Sequence, residues 1–132
     1  MKESTVLVAL YGTLRRGGCL HEIYGVNRSH FIGKGKVEGY MIAVCCNEWF
    51  PRAFRDADES VVVEVFDIDA EIARRIIEME TDAGYRTEEC SVSLDSGQRI
   101  NATIFVCEGA TKDCRKIPGG DWMARSTINP VY

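Results

Sequence analysis

Hydrophobic residues in this chain come first as an unbroken run and only later in alternation. "TVLVALY" (5–11) is β-branched and apolar with no polar alternation, which predicts a strand buried on both faces. "HFIGKGKVEGYMIAVCC" (30–46) alternates in its first half and then turns apolar, with three glycines suited to bends or bulges. "CNEWFPRAFRDADE" (46–59) reads as a loop around Pro51, and "SVVVEVFDI" (60–68) as the strongest strand. From Asp69 the period lengthens. "DAEIARRIIEME" predicts a helix over 69–80, with Asp69 as N-cap and Glu71 in the first turn, where the helix dipole favours an acid. "YRTEECSVSL" and "RINATIFVCE" then alternate on either side of "DSGQ", the pattern of a hairpin. About five strands and one good helix place the chain in the α+β class. The expectation is a single compact domain over residues 1–132, built on a twisted, barrel-like mixed β-sheet with one main helix.

One position on the helix breaks the amphipathic pattern. On a wheel of about 100° per residue, Ile72, Ile76, Met79 and Ala83 cluster on one side, and Ala73 and Ile77 widen that arc. Glu71, Arg74, Arg75, Glu78 and Asp82 point away from it, but Glu80 falls inside it, roughly 40° from Ile76. A carboxylate there must pair with a cation such as Arg86, reach water from a frayed helix end, or have its pKa raised by desolvation. In the last case it is a candidate general base in a partly dry pocket.

The turn after the first strand, "GTLRRGG" (12–18), carries a second candidate. Successive backbone N–H groups in such a turn form a concave nest for phosphate or carboxylate, although a simple strand-ending loop has the same composition. Neither G-x-x-x-x-G-K-[ST] nor G-x-G-x-x-G is present. Arg15 and Arg16 are either anion ligands or solvated surface residues. Cys19 and His21 are neighbours in sequence but lack a third group to orient them as a nucleophile and base.

Charge and cysteine content narrow the function classes. With 16 Lys and Arg against 20 Asp and Glu, the net charge of −4 argues against nucleic acid as a partner. No apolar stretch reaches membrane-spanning length, and the first ten residues lack a signal-peptide pattern, so a cytoplasmic setting without membrane contact is expected. The six cysteines show no C-x-x-C pair and there are only two histidines, which excludes a zinc-type ligand cluster by spacing and predicts reduced thiols.

Taken together, these stretches resemble a known family. "YGTLRRG" after an apolar strand is similar to the opening signature of the γ-glutamylcyclotransferase-like proteins, in particular their γ-glutamylamine cyclotransferase branch. Gly39–Tyr40, Phe50–Pro51, "VEVFDID" (63–69), a helix ending in glutamate before a Tyr-Arg strand start, and "GGDW" (119–122) follow in the family's order. The resemblance implies that Glu80 is the catalytic acid/base and that Tyr11, Gly12, Thr13 and Leu14 cradle a small γ-glutamyl substrate. It implies cyclisation to 5-oxoproline with release of an amine, with no metal or organic cofactor. Three positions depart from the family pattern: Ile77 in place of aspartate, Thr81 in place of glycine, and Phe105 where many relatives carry tyrosine. Two other readings stay open, namely a non-catalytic member of the fold binding a small anionic metabolite or protein partner, and a structural or assembly protein.

Overall fold

In the computed structural model, residues 4–46, 48–110 and 113–124 are described. The polypeptide starts with β1 (Thr5–Leu10), whose C-terminal half, Val8 to Leu10, is buried while Thr5 to Leu7 are partly open. After a long turn come β2 (His30–Val44) and β3 (Arg52–Asp69), two long strands in antiparallel register. Helix α1 (Ala70–Asp82) follows at once, then the hairpin of β4 (Arg86–Leu94) and β5 (Arg99–Val106), and a two-residue strand β6 (Arg115–Lys116) against the end of β2.

The strand order β3-β1-β5-β4-β2 closes on itself, because β2 also pairs with β3. The sheet is therefore a five-stranded barrel with β6 appended, as the sequence pattern suggested. Its one parallel contact lies between β1 and β5, at Val8 and Thr103. Closure between β2 and β4 depends on Gly35, where a Cβ would overlap the Ser93–Leu94 backbone. Register shifts in β2 fall between Phe31 and Gly33 and between Glu38 and Tyr40, at the glycines expected to mark bulges.

Strand β3 begins much earlier than the sequence indicated. Residues 52–59 look like a loop because charges crowd them, yet Ala53 and Phe54 are buried and pair with Ile42 and Met41 of β2. Non-local pairing overrides the local composition here. Further along the same strand every residue from Val61 to Phe66 is buried, and Val61, Val63 and Val65 join Val37, Ile42, Val92 and Ile104 in the core.

The helix matches its expected limits within two residues. Asp69 caps it by accepting the N–H of Glu71 at 3.0 Å, and Ala73 and Ile76 are buried against the barrel. Ile72, Ile77 and Met79 are partly buried at its margin, whereas Ala83, the C-cap residue, is exposed. Among the described residues no helix is long and apolar enough to cross a membrane.

The cysteine expectation needs correction. Cys45 and Cys114 form a disulfide that joins the end of β2 to the segment leading into β6. The two residues stand 69 positions apart with no recognisable spacing, so only the fold reveals that they meet. Cys19, Cys46, Cys90 and Cys107 are free thiols.

Candidate active site

The barrel brings the turn after β1 and the end of α1 to the same cavity, of about 160 Å³. The turn folds back on itself through its carbonyls: Arg15 donates its N–H to the Gly12 oxygen at 3.0 Å, and Leu20 donates to the Thr13 oxygen at 3.0 Å. The N–H groups of Gly12, Thr13 and Leu14 donate to no other described residue, and all three residues line the cavity. Gly12 has no room for a side chain, since a Cβ would stand 2.7 Å from Cγ of Pro51. The backbone of the turn thereby lies directly against the 49–51 wall.

Tyr11 also lines the cavity, but its hydroxyl is committed elsewhere. It donates to the Phe105 carbonyl at 2.7 Å and accepts the Ala53 N–H at 3.2 Å, tying together β1, β5 and β3. Burial foremost, with the nearby Tyr85 and Glu80, raises its pKa well above 10, so the phenol stays neutral. The Tyr11 hydroxyl is thus engaged within the scaffold.

Arg16 is exposed, as the surface alternative had it, but Arg15 fits neither sequence alternative. Arg15 is only 3% exposed and is neither solvated nor open to a ligand. Its Nε donates to Glu64 at 3.1 Å and its Nη1 to Asp121 at 2.7 Å. Arg16 adds its own N–H to Glu64 at 2.9 Å and lays its guanidinium over the Phe31 ring at 3.8 Å. Burial alone would raise the Asp121 pKa, but the Arg15 hydrogen bond and charge hold it below the ordinary value. The Gly-Gly-Asp-Trp stretch thus locks the turn in place from behind. His21 is equally structural: its Nδ1 lies 2.8 Å from the Leu14 carbonyl, which can only accept, so Nδ1 carries the proton. With His21 buried on that carbonyl and Cys19 exposed, the two form no dyad.

Glu80 sits in the last turns of α1 and its side chain is partly buried. Among the described residues its carboxylate has no hydrogen bond and no ion pair. Arg86, the sequence's candidate partner, pairs with Glu88 at 3.0 Å instead. Met79, Ala83, Tyr85, Phe50 and Phe105 surround it in the cavity and offer no cation. Burial pushes its pKa up from 4.5 to about 7, against the downward pull of the Arg52 charge. The frayed-end and ion-pair alternatives are both absent, which leaves an unpaired carboxylate with a raised pKa facing a mostly apolar space.

Residues 8–124 match the sequence model of the family described as "Gamma-glutamyl cyclotransferase, AIG2-like". The chain belongs to that family. Its relatives include the "Putative gamma-glutamylcyclotransferase PH0828" of Pyrococcus horikoshii, 38% identical over 93 residues that cover 70% of this chain and 75% of that one. The "Putative gamma-glutamylcyclotransferase MJ1514" of Methanocaldococcus jannaschii is 37% identical over 101 residues, 74% of this chain and 81% of its own. The crystal structure of PH0828 superposes with a TM-score of 0.70 at 33% identity, over 89% of each chain. A mouse AIG2-like protein shares the fold at 16% identity with a TM-score of 0.72, over 93% of this chain and 85% of that one.

Of the three departures from the family pattern, only Phe105 reaches the cavity. Ile77 packs against the core and Thr81 is exposed. Among the aromatic residues, Trp49 and Phe50 line the cavity in edge-to-face contact, 5.4 Å between centroids, whereas Phe54 and Trp122 are core. The sequence reading passed over Tyr85, Pro51 and Arg52 as site residues. Tyr85 closes the site by donating its hydroxyl to the Pro51 carbonyl at 2.7 Å. Its linear clues were its place directly after Gly84, which follows the helix with a positive φ of 97°, and the Tyr-Arg strand start.

Proposed function

We propose that this chain cyclises a γ-glutamyl amine or amide to 5-oxoproline and releases the free amine, with Glu80 as general acid/base. The observation that carries this reading is the unpaired, partly buried Glu80 carboxylate with a proton affinity near neutrality, in one cavity lined also by Gly12, Thr13 and Leu14, whose N–H groups donate to no described residue. The family membership supports the same class of reaction.

The substrate carries an α-ammonium, an α-carboxylate and a γ-amide. The turn's N–H groups hold the carboxylate, and the small cavity keeps the chain curled with its nitrogen near the γ-carbonyl. Glu80 takes one proton from the ammonium, which frees the lone pair to attack the γ-carbonyl carbon. Backbone donors of the turn also serve the oxyanion that forms. As the tetrahedral centre collapses, the C–N bond to the leaving amine breaks. In total the α-nitrogen gives up two protons, relayed through Glu80, and the amine departs as an ammonium. Each step is proton or acyl transfer, so the scheme draws on no cofactor. A base of pKa near 7 can both take and return a proton at neutral pH.

The test is 5-oxoproline release from a panel of γ-glutamyl amines and dipeptides, with Glu80→Gln measured alongside. Removing a positioned acid/base lowers the rate about 10²- to 10⁴-fold. Full turnover in Glu80→Gln refutes the assignment of Glu80. A folded wild type that turns over nothing in the panel but still binds substrate points to the non-catalytic alternative.

A further inference from the structure

Strand β3 opens with a cation that the scheme above does not use. Arg52 lies one residue after the cavity-lining Pro51, and its guanidinium stands 4.8 Å from the centroid of the Tyr85 ring and 5.4 Å from that of Phe50, both cavity-lining residues. Its Nη1 is 3.6 Å from the point a Cβ on Gly84 would occupy, so the charge also sits at the C-terminal end of α1, where the helix dipole favours it. Glu48 holds this group on three contacts, two to Nε at 2.8 and 2.9 Å and one to Nη2 at 2.7 Å. The remaining Nη1 donates to the Cys107 sulfur at 3.2 Å.

The groups that face Glu80 can be named element by element. From the end of β1 comes Tyr11, from the start of the β4 segment Tyr85, and from the end of β5 Cys107, all kept neutral because burial raises their pKa. From β3 comes Arg52, the one cation acting on the carboxylate among the described residues, and from the preceding loop its partner Glu48. A direct salt bridge from Arg52 would fix Glu80 as a weak, permanently ionised base. No such bridge is present, because Glu48 occupies the fork.

We propose that Arg52 is a positioning residue for Glu80: held back by Glu48, it supports the ionised carboxylate through space without pairing with it. This rests on the cyclotransferase reading only for its kinetic consequence. The charge-coupling itself concerns the folded protein alone. Arg52→Met keeps the aliphatic stem that packs on Tyr85 and removes the charge, Arg52→Lys keeps the charge without the fork, and Glu48→Gln frees the guanidinium.

The experiment is a carbon-13 NMR titration of the Glu80 carboxyl in each variant, assigned by loss of the signal in Glu80→Gln, with pH profiles of kcat/KM run in parallel. In Arg52→Met the Glu80 midpoint rises by about one pH unit, as expected for loss of a nearby opposite charge, and the acidic limb of kcat/KM rises with it. Arg52→Lys titrates with the wild type. Glu48→Gln moves the midpoint the other way, to lower pH. A purely structural role lowers kcat without moving the limb. An unmoved midpoint in folded Arg52→Met overturns the proposal, and if that variant does not fold, an unmoved or raised midpoint in Glu48→Gln does so. Shifted midpoints with no 5-oxoproline from any substrate leave the coupling standing and defeat the cyclotransferase reading instead.

Discussion

Replacing Glu80 with glutamine removes a charge that the fold pays to keep, and the effect on stability can be worked out from its environment. The carboxyl titrates near 7 in the folded protein and near 4.5 when the chain unfolds. A raised carboxyl pKa means that the folded state holds the extra proton between those two values. Stability from this group is therefore fully present below about pH 4.5 and is lost as pH rises through 7. Two and a half units at 1.36 kcal/mol each give a loss of about 3 kcal/mol by pH 8.5. Glutamine does not titrate, so its stability curve lacks this slope while every other group contributes equally to both proteins. Urea denaturation at pH 5 and pH 8.5 measures the difference. Relative to its offset at pH 5, Glu80→Gln gains about 3 kcal/mol over wild type at pH 8.5, or about 10 °C in Tm for a chain of this size. A substitution that removes the proposed base and yet stabilises the protein in alkali is the outcome expected of a site kept under electrostatic strain. Parallel stability curves for the two proteins between pH 5 and 8.5 refute the desolvation of Glu80 and, with it, the reason for assigning it as a base.

Other substitutions probe the scaffold that carries the turn. Arg15→Met leaves the buried Glu64 with its Arg16 contacts alone and strips Asp121 of its arginine, and costs about 1.5–3 kcal/mol in urea unfolding, the usual worth of hydrogen bonds to charged groups. Tyr11→Phe orphans the Phe105 carbonyl and the Ala53 N–H and costs about 1–3 kcal/mol by the same measurement. Alkylation of the denatured, unreduced protein labels four of the six cysteines by intact mass, and all six after reduction.

Legibility from sequence followed the range of the interactions involved. Helix α1, its Asp69 cap and the β4–β5 hairpin depend on neighbours in sequence, and their limits were readable from period and turn composition alone. Glu80 was conspicuous for the same reason, since a helical wheel needs only a few adjacent residues. What decided between its alternatives was non-local: Arg86 is drawn to Glu88, and no other cation among the described residues takes its place. Arg15 was misread because Glu64 and Asp121 lie 49 and 106 positions away. The early start of β3 was hidden by Arg52, Arg55, Asp56 and Asp58, charges that sit comfortably on a strand once Ala53 and Phe54 supply the inward contacts. The Cys45–Cys114 bond, by contrast, had no linear trace at all.

The Tyr11 hydroxyl has a bearing on how the protein acquires its activity over time. That one oxygen joins residues 42 and 94 positions distant, on two strands that cannot meet until β1 has been inserted between them. Long loops must close before either bond forms, and such closures come late and slowly compared with helix formation. The cavity floor is therefore among the final parts to be completed during refolding. Helix α1 depends on neighbours in sequence, whereas the turn after β1 needs its Tyr11 anchor, so helix formation is expected to precede completion of the cavity.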